Sequence, residues 1–181
     1  MSMAASQSAS DKWAGVGHVV VMGVSGCGKS SVGEDLAHRI GADFIEGDSL
    51  HPAANVEKMR TGTPLDDADR GPWLDALGRM LGGDGDVVVS CSALKRSYRD
   101  RLRALAGRPV VFVYLHGDRE VLAARMAARS HDYMPLSLLD SQLATLEPPH
   151  GEDRVVTIEI NQPLEAIVEA ALEYLASSRC P

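Results

Sequence analysis

The sequence is poor in aromatic residues and cysteine, and it lacks a long apolar run. Phe, Trp and Tyr make up only 4% of the 181 residues, so a core has to be built from aliphatic side chains. No stretch reaches the roughly 18 consecutive apolar residues that suggest a membrane-spanning helix, and we expect no membrane partner. The cysteines, Cys27, Cys91 and Cys180, are odd in number and lack metal-ligand spacing. This usage favours a reducing, cytoplasmic location.

Positive charge is also scarce. The formal net charge is −7, which argues against a nucleic-acid partner, because a phosphate backbone requires a cationic face. The basic residues between Lys95 and Arg103 nevertheless cluster in sequence. A local cluster of this kind favours a small anionic substrate.

The length and the periodicity predict one α/β domain. Residues 1–17 are rich in Ser and Ala and show no periodicity, so we predict a disordered leader there and a single domain over residues 18–181. Apolar strands are predicted over residues 18–22, 42–46, 86–90, 109–115 and 155–160, with helices between them. One of these helices is predicted to begin near Pro72 and Trp73. Such alternation predicts a parallel sheet that helices cover on both faces, with ligands at the carboxyl edge.

The segment Gly23–Ser30, GVSGCGKS, fits the phosphate-loop pattern at every fixed position. An apolar strand precedes it and a helical pattern follows it, which is the context that the motif requires. Lys29 is expected to bind the β- and γ-phosphates of ATP, and the Ser30 hydroxyl is expected to bind Mg²⁺. The predicted ATP-binding residues are Gly23, Ser25, Gly26, Cys27, Gly28, Lys29, Ser30 and Ser31.

Two acids follow the second predicted strand, beside the phosphate loop. Asp48 is the better candidate for the base that removes a proton from an acceptor hydroxyl, and Glu46 could hold Mg²⁺ through water. The alternative is a solvated turn, because Gly and Asp are common turn residues. The third strand ends at Ser90 without an acid, so the usual Walker B aspartate is missing there.

Several cations are further candidates. Arg70 or Arg99 could bind a carboxylate in a bidentate way, although each alone also suits a surface salt bridge. His51 and Lys58 are equally compatible with structural roles. Arg125 and Arg129 share a helix face and precede a stretch without strong periodicity, which suits a lid over about residues 126–142. An exposed basic face explains that spacing equally well.

Taken together, these motifs resemble the gluconate kinases of the phosphate-loop type, which are related in fold to shikimate and nucleoside monophosphate kinases. The resemblance runs from about residue 18 to residue 176. Besides the phosphate loop, it rests on Gly47–Pro52 (GDSLHP), Asn55, Glu57–Met59 (EKM), Gly62–Asp67 (GTPLDD), Asp69–Leu74 (DRGPWL), Cys91–Asp100 (CSALKRSYRD), Leu138–Gln142 (LLDSQ) and Leu146–Glu147.

The resemblance implies phosphorylation of D-gluconate at its 6-hydroxyl by ATP and Mg²⁺. It implies a three-layer fold with strand order 2-3-1-4-5 and a small lid, in a homodimer. Asp48 becomes the expected base, and Arg125 and Arg129 become lid arginines that act in catalysis, with Arg125 also expected to bind ATP. The implied gluconate contacts are Asp48, His51, Lys58, Arg70, Arg99 and Gln142.

The chain departs from the family pattern at two places. Glu46 stands where the family usually has Asp, and residues 131–133 read His-Asp-Tyr where the lid usually reads Gly-His-Phe. Three other functions remain open at this point: a kinase for shikimate or a nucleoside monophosphate, a GTP-dependent switch, and a nucleotide-binding module without catalysis. The switch lacks support because no Asn-Lys-x-Asp guanine motif is present.

Overall fold

The structure is a computed structural model that describes residues 15–128 and 135–178. Five strands form its sheet: β1 His18–Met22, β2 Asp43–Glu46, β3 Val87–Ser90, β4 Val110–His116 and β5 Val155–Glu159. Seven α-helices lie within the described residues: α1 Lys29–Ile40, α2 Ala53–Arg60, α3 Asp67–Leu81, α4 Arg96–Ala106, α5 Arg119–Ala127, α6 Leu136–Thr145 and α7 Leu164–Ser177. A single 3₁₀ turn, Gly47–Leu50, follows β2.

All strand pairs are parallel, and the strand order is β2-β3-β1-β4-β5. This order confirms the expected one. The central strands β1, β3 and β4 are apolar along nearly their whole length and buried on both faces, as strands between two helical layers must be. Because the order changes direction at β1, the loop after β1 opens into the crevice where ligands bind in such sheets.

Helices pack against both faces of the sheet. Helices α1 and α7 contact each other, as do α3 and α4. Each presents apolar residues inward, for example Leu36 in α1 and Trp73 in α3, both almost completely buried. The resulting core is aliphatic, as the scarcity of aromatic residues predicts.

Helix α3 begins earlier than the sequence predicts. Its first residue is Asp67 and Pro72 lies inside it, whereas the prediction placed the start near Pro72. The physical reason is a capping box, in which the Asp66 carboxylate accepts from the Asp69 N–H and the Asp69 carboxylate accepts from the Asp66 N–H. These two bonds stabilise the first turn ahead of the proline.

The predicted leader falls mostly outside the described residues. Of its last three residues, Gly15 and Gly17 donate backbone N–H bonds of 3.1 Å and 2.9 Å to the Asp86 carboxylate. These bonds tie the chain to the residue just before β3.

No helix of the described residues combines the length and the apolar character that a membrane span requires.

Candidate active site

The phosphate loop Gly23–Ser30 connects β1 to α1 at the carboxyl edge of the sheet. Gly26 has a φ of 84°, and a Cβ there would lie 2.9 Å from the Leu122 carbonyl oxygen. Only glycine fits this backbone conformation and this close approach. Helix α1 starts at Lys29, within the last two residues of the loop, with no side-chain cap and no acid in its first turn. Its first N–H groups are therefore available to an anion.

Two groups of the loop are hydrogen-bonded to other parts of the protein or to the loop itself. The Ser25 N–H donates to Oε1 of Gln142 in α6 at 2.7 Å, and the Lys29 ammonium donates to the Val24 carbonyl at 3.2 Å. Gln142 was predicted as a substrate contact, and the structure places it against the phosphate loop. Cys27 is buried within the loop, as a small filling side chain would be.

A cavity of about 350 Å³ adjoins the loop. Its lining includes Gly26, Gly28 and Ser31 together with Arg125 of α5. The Arg125 guanidinium donates to the Ile160 carbonyl at 2.6 Å, which holds it beside the loop. Leu164 and Ile167 add apolar surface. The combination of cationic and apolar groups suits a nucleotide whose phosphates lie on the loop.

A second and much narrower cavity, of about 30 Å³, also adjoins the loop. It brings together Ser25 and Lys29 of the phosphate loop, Asp48 and His51 after β2, Arg70 of α3, and Gln142 of α6. All six are residues that the sequence predicted for the site. The cavity is therefore the place where a phosphate donor and an acceptor could meet.

Hydrogen bonds with Ser90 and Trp73 hold the turn that carries Asp48. The Gly47 N–H donates to Ser90 Oγ at 3.0 Å, and a Cβ on Gly47 would lie only 1.9 Å from the Ser90 carbonyl oxygen. The Ser90 hydroxyl donates to the Glu46 carboxylate, and the Trp73 indole N–H donates to the Gly47 carbonyl at 2.7 Å. These contacts hold the Asp48 carboxyl, whose side chain is 61% exposed, at the cleft.

His51 lies in the wall of the same cleft. Its ring stacks on Trp73 with 4.0 Å between centroids, and its side chain is only 3% exposed. Burial, together with the nearby Arg70 guanidinium, lowers the pKa of His51, against the opposing effect of Asp48. The ring is therefore neutral at neutral pH.

Arg70 and Arg99 occupy different environments. Arg70 is 6% exposed and makes only long bonds, 3.4 Å to the Leu65 carbonyl and 3.5 Å to Ser92 Oγ. No carboxylate of the described residues pairs with it. Its guanidinium therefore retains donors for an anion in the cleft.

Arg99 does not reach the cleft. It is completely buried and paired with Glu152 at 2.5 Å, and it also donates to the carbonyls of Ala93, Leu94 and Glu147. The Arg99 guanidinium, with Arg103 beyond it, lowers the pKa of Glu152. The structure thus places Arg99 in a buried ion pair. Arg99 was an expected gluconate contact, but its guanidinium has no N–H group left for gluconate.

Lys58 is likewise engaged elsewhere. Its ammonium lies 2.7 Å and 2.8 Å from the two carboxylate oxygens of Asp69, and it does not line the cavity.

Arg129 and residues 131–133 lie outside the described residues, as does part of the predicted lid.

Sequence reasoning missed several residues that line or support the site. Ser92 and Ser141 line the second cavity. Ser90 and Trp73 hold the Gly47 turn, and Asn55 Nδ2 lies 3.3 Å from Nδ1 of His51. Residues Cys91–Asp100 and the Pro72-Trp73 pair stood out as motifs, but nothing in a motif says which atoms its side chains contact. The sequence therefore marked these residues as motifs but did not indicate what each side chain does.

Comparison with known proteins identifies the family. A family model described as an AAA domain matches residues 19–149. A gluconokinase of Gluconobacter oxydans is 46% identical over 160 residues, which cover 86% of this chain and 89% of that protein. The crystal structure of a gluconokinase from Sinorhizobium meliloti superposes with a TM-score of 0.85 at 57% identity, covering 90% of this chain and 93% of that one.

More distant structures share only the fold. Shikimate kinase from Acinetobacter baumannii, in complex with shikimate, has a TM-score of 0.66 at 19% identity and covers 95% of this chain and 99% of its own. The similarity to these gluconokinases covers 86% to 90% of this chain. The chain belongs to the gluconokinase family of phosphate-loop kinases.

Proposed function

We propose that the protein transfers the γ-phosphoryl group of ATP to the 6-hydroxyl of D-gluconate, giving 6-phospho-D-gluconate. The observation that carries this proposal is the shared cavity, in which Lys29 of the phosphate loop faces Asp48, His51 and Arg70. Membership of the gluconokinase family supports the choice of acceptor.

The nucleotide binds along the phosphate loop. Its polyphosphate accepts bonds from the loop N–H groups between Gly23 and Ser31, and the Lys29 ammonium leaves the Val24 carbonyl for the β- and γ-phosphates. Arg125 lies close enough to the loop to interact with the phosphates, because its Nη1 is 3.9 Å from a Cβ position on Gly28. Lys29 and Arg125 spread the charge that develops on the transferring group.

The residues present fit Mg²⁺ held mainly by phosphates and water. Within the described residues no group of three or more His, Cys, Asp or Glu side chains could form a protein cage for a metal. Mg²⁺ commonly keeps several waters and uses one or two protein oxygens plus substrate phosphates. Ser30 would supply a hydroxyl, and Glu46 would act through water. When bound, the ion neutralises charge on the β- and γ-phosphates.

The acceptor occupies the side of the cleft opposite the nucleotide. Arg70 binds the gluconate carboxylate, because it is the buried guanidinium with unused donors there. Asp48 accepts the proton of the attacking hydroxyl, and its exposed carboxyl can reach an oxygen in the cleft. Ser92 and Ser141 offer hydroxyls to the remaining oxygens of the polyol.

Two properties of the whole protein complete the proposal. A homodimer is supported by Met80 and Leu105, which are 42% and 38% exposed on the contacting helices α3 and α4. Sedimentation of the purified protein tests whether it is a dimer.

A cytoplasmic location is supported by Cys27 and Cys91, which are unpaired thiols.

The deciding experiment is ADP release in a coupled assay with Mg-ATP and one acceptor at a time. We expect release with gluconate and none above background with shikimate or AMP. Release with shikimate or AMP alone would overturn the acceptor assignment while leaving the phosphate site intact. ATP binding without release in the presence of any acceptor would instead favour a nucleotide-binding module.

A further inference from the structure

Asn55 in helix α2 is a buried polar residue to which the proposed reaction gives no role. The residue is only 4% exposed. The amide nitrogen Nδ2 lies 2.8 Å from the backbone carbonyl oxygen of Asp69 and 3.3 Å from Nδ1 of His51. A carbonyl oxygen can only accept a hydrogen bond. The amide orientation is therefore fixed, with the NH₂ group towards Asp69 and His51.

This orientation determines the tautomer of His51. The NH₂ group has two hydrogens and no acceptor, so Nδ1 of His51 must accept the second bond. A neutral imidazole carries one proton, and if Nδ1 accepts, that proton is on Nε2. A turned ring would place the carbon Cδ2 where Nδ1 lies, and a carbon cannot accept the second amide hydrogen, so the contact with Asn55 also fixes the ring orientation. The ring stacks on Trp73 at 4.0 Å, with 18° between the ring planes.

The protonated nitrogen lies beside the proposed base. Nε2 of His51 is 3.9 Å from Oδ1 of Asp48, which is too long for a hydrogen bond between them. An oxygen atom at roughly 2.8 Å from both atoms fits this separation. Such an oxygen can accept from the imidazole N–H and donate its own proton to the carboxylate, which is what a hydroxyl group does.

We propose that Asn55 is a positioning residue, which holds His51 in the Nε2–H tautomer so that this N–H donates to a hydroxyl oxygen of the acceptor next to Asp48. The inference deepens the proposed function and rests on it. It makes the site selective for an acceptor that carries a hydroxyl at that position, because an acceptor without one would leave the buried N–H unpaired.

The tautomer is tested on the nucleotide-free protein by two-bond ¹H–¹⁵N NMR of the histidine rings. We expect wild-type His51 to show a protonated Nε2 and an unprotonated Nδ1 at neutral pH. Asn55→Asp should move the proton to Nδ1, because a carboxylate can only accept. A protonated Nδ1 in the wild-type protein would overturn the inference.

Kinetics test the use of the N–H with two matched variants. The amide nitrogen of Gln can take the place of Nε2, whereas the shorter Asn can only take that of Nδ1, and both variants lose the ring stacking equally. We expect His51→Asn and Asn55→Ala to raise the gluconate KM about tenfold, with the ATP KM unchanged, as loss of one hydrogen bond predicts. His51→Gln should stay several-fold closer to wild type.

His38 in α1 is exposed and serves as the control, since His38→Asn should leave both KM values unchanged. Equal gluconate KM values for His51→Gln and His51→Asn would overturn the inference, and this comparison remains available if Asn55→Ala does not fold. The failure of the proposed function looks different. In that case the NMR spectra would show the expected tautomer, and gluconate would not be phosphorylated at all.

Discussion

Two buried arginines show how differently the same side chain can be used. Arg99 has a carboxylate and three carbonyls around its guanidinium, and Arg70 has one carbonyl and one hydroxyl at long distance. From the sequence both were equal candidates for binding a carboxylate. The structure distinguishes them because only Arg70 lines the cleft and keeps unused donors.

Arg70→Ala is expected to raise the gluconate KM by about 10- to 100-fold with little change in the ATP KM, because a charged hydrogen-bonding partner of the carboxylate is lost. Steady-state kinetics with each substrate varied in turn measures both constants. Arg70→Lys should recover only part of the loss, since an ammonium cannot form the paired bonds of a guanidinium. An equal rise in both KM values would contradict the assignment.

Arg99→Ala is expected to act on stability. It would leave the Glu152 carboxylate, whose side chain is 5% exposed, without its main partner in the interior. Removing one member of a buried pair typically costs about 3–5 kcal/mol of unfolding free energy. Urea denaturation measures this loss, and Arg101→Ala, which breaks an exposed pair with Asp75, is the matched control with little expected effect.

Lys29→Ala is expected to lower kcat by at least about 100-fold, because the cation that follows the transferring phosphoryl group is removed. The coupled ADP assay measures the rate, and a thermal melt of the variant shows whether it is folded. A folded variant with wild-type kcat would place the reaction outside the phosphate loop.

At the level of secondary structure, helix α3 depends on its capping box. Asp66→Ala removes the acceptor of the Asp69 N–H and is expected to destabilise the protein by about 1 kcal/mol. Urea denaturation measures the difference. Asp84→Ala, in the loop between α3 and β3 and outside any helix, is the control with little expected effect. No loss in Asp66→Ala would mean that packing of α3 on α4 alone sets the start of the helix.

The elements could be predicted where local chemistry is decisive. The valine-rich strands and the phosphate loop have strong periodic or motif signals, and their bounds agree with the structure to within one or two residues. The start of α3 was wrong because a proline inside the pattern outweighed a capping box six residues earlier. The environment of Arg99 could not be predicted, because its partner Glu152 is 53 residues away in the chain.

The whole molecule is expected to lose stability as the pH falls. Burial lowers the pKa values of His18 and His51 below 6.5 in the folded state. As the pH falls, the histidines of the unfolded chain are therefore protonated before those of the folded protein. The free energy of unfolding begins to decrease below about pH 6.5 for this reason. The pKa of Glu152 lies below 4.5 because of its arginine partners, so its contribution is present above that value and is lost as the pH falls through the folded pKa.

Urea denaturation at several pH values between about 8 and 2 checks this expectation. The predicted curve declines in two stages, the first from the histidines and the second from the carboxylates. The variant His51→Gln should show a smaller first stage than the wild-type protein. A stability that rises below pH 6.5 would contradict the direction of both histidine shifts.

The bond between the Ser25 N–H and Gln142 links the binding of the two substrates. A phosphate oxygen that accepts a hydrogen bond from the Ser25 N–H must displace the Gln142 side chain. ATP binding is therefore coupled to the position of α6, which carries Gln142. Ser141, the neighbour of Gln142, lines the cavity proposed for the acceptor. By thermodynamic linkage, any difference that α6 makes to acceptor affinity must appear equally as a difference in nucleotide affinity. The two substrates are therefore expected to bind as a coupled pair, each altering the dissociation constant of the other by the same factor.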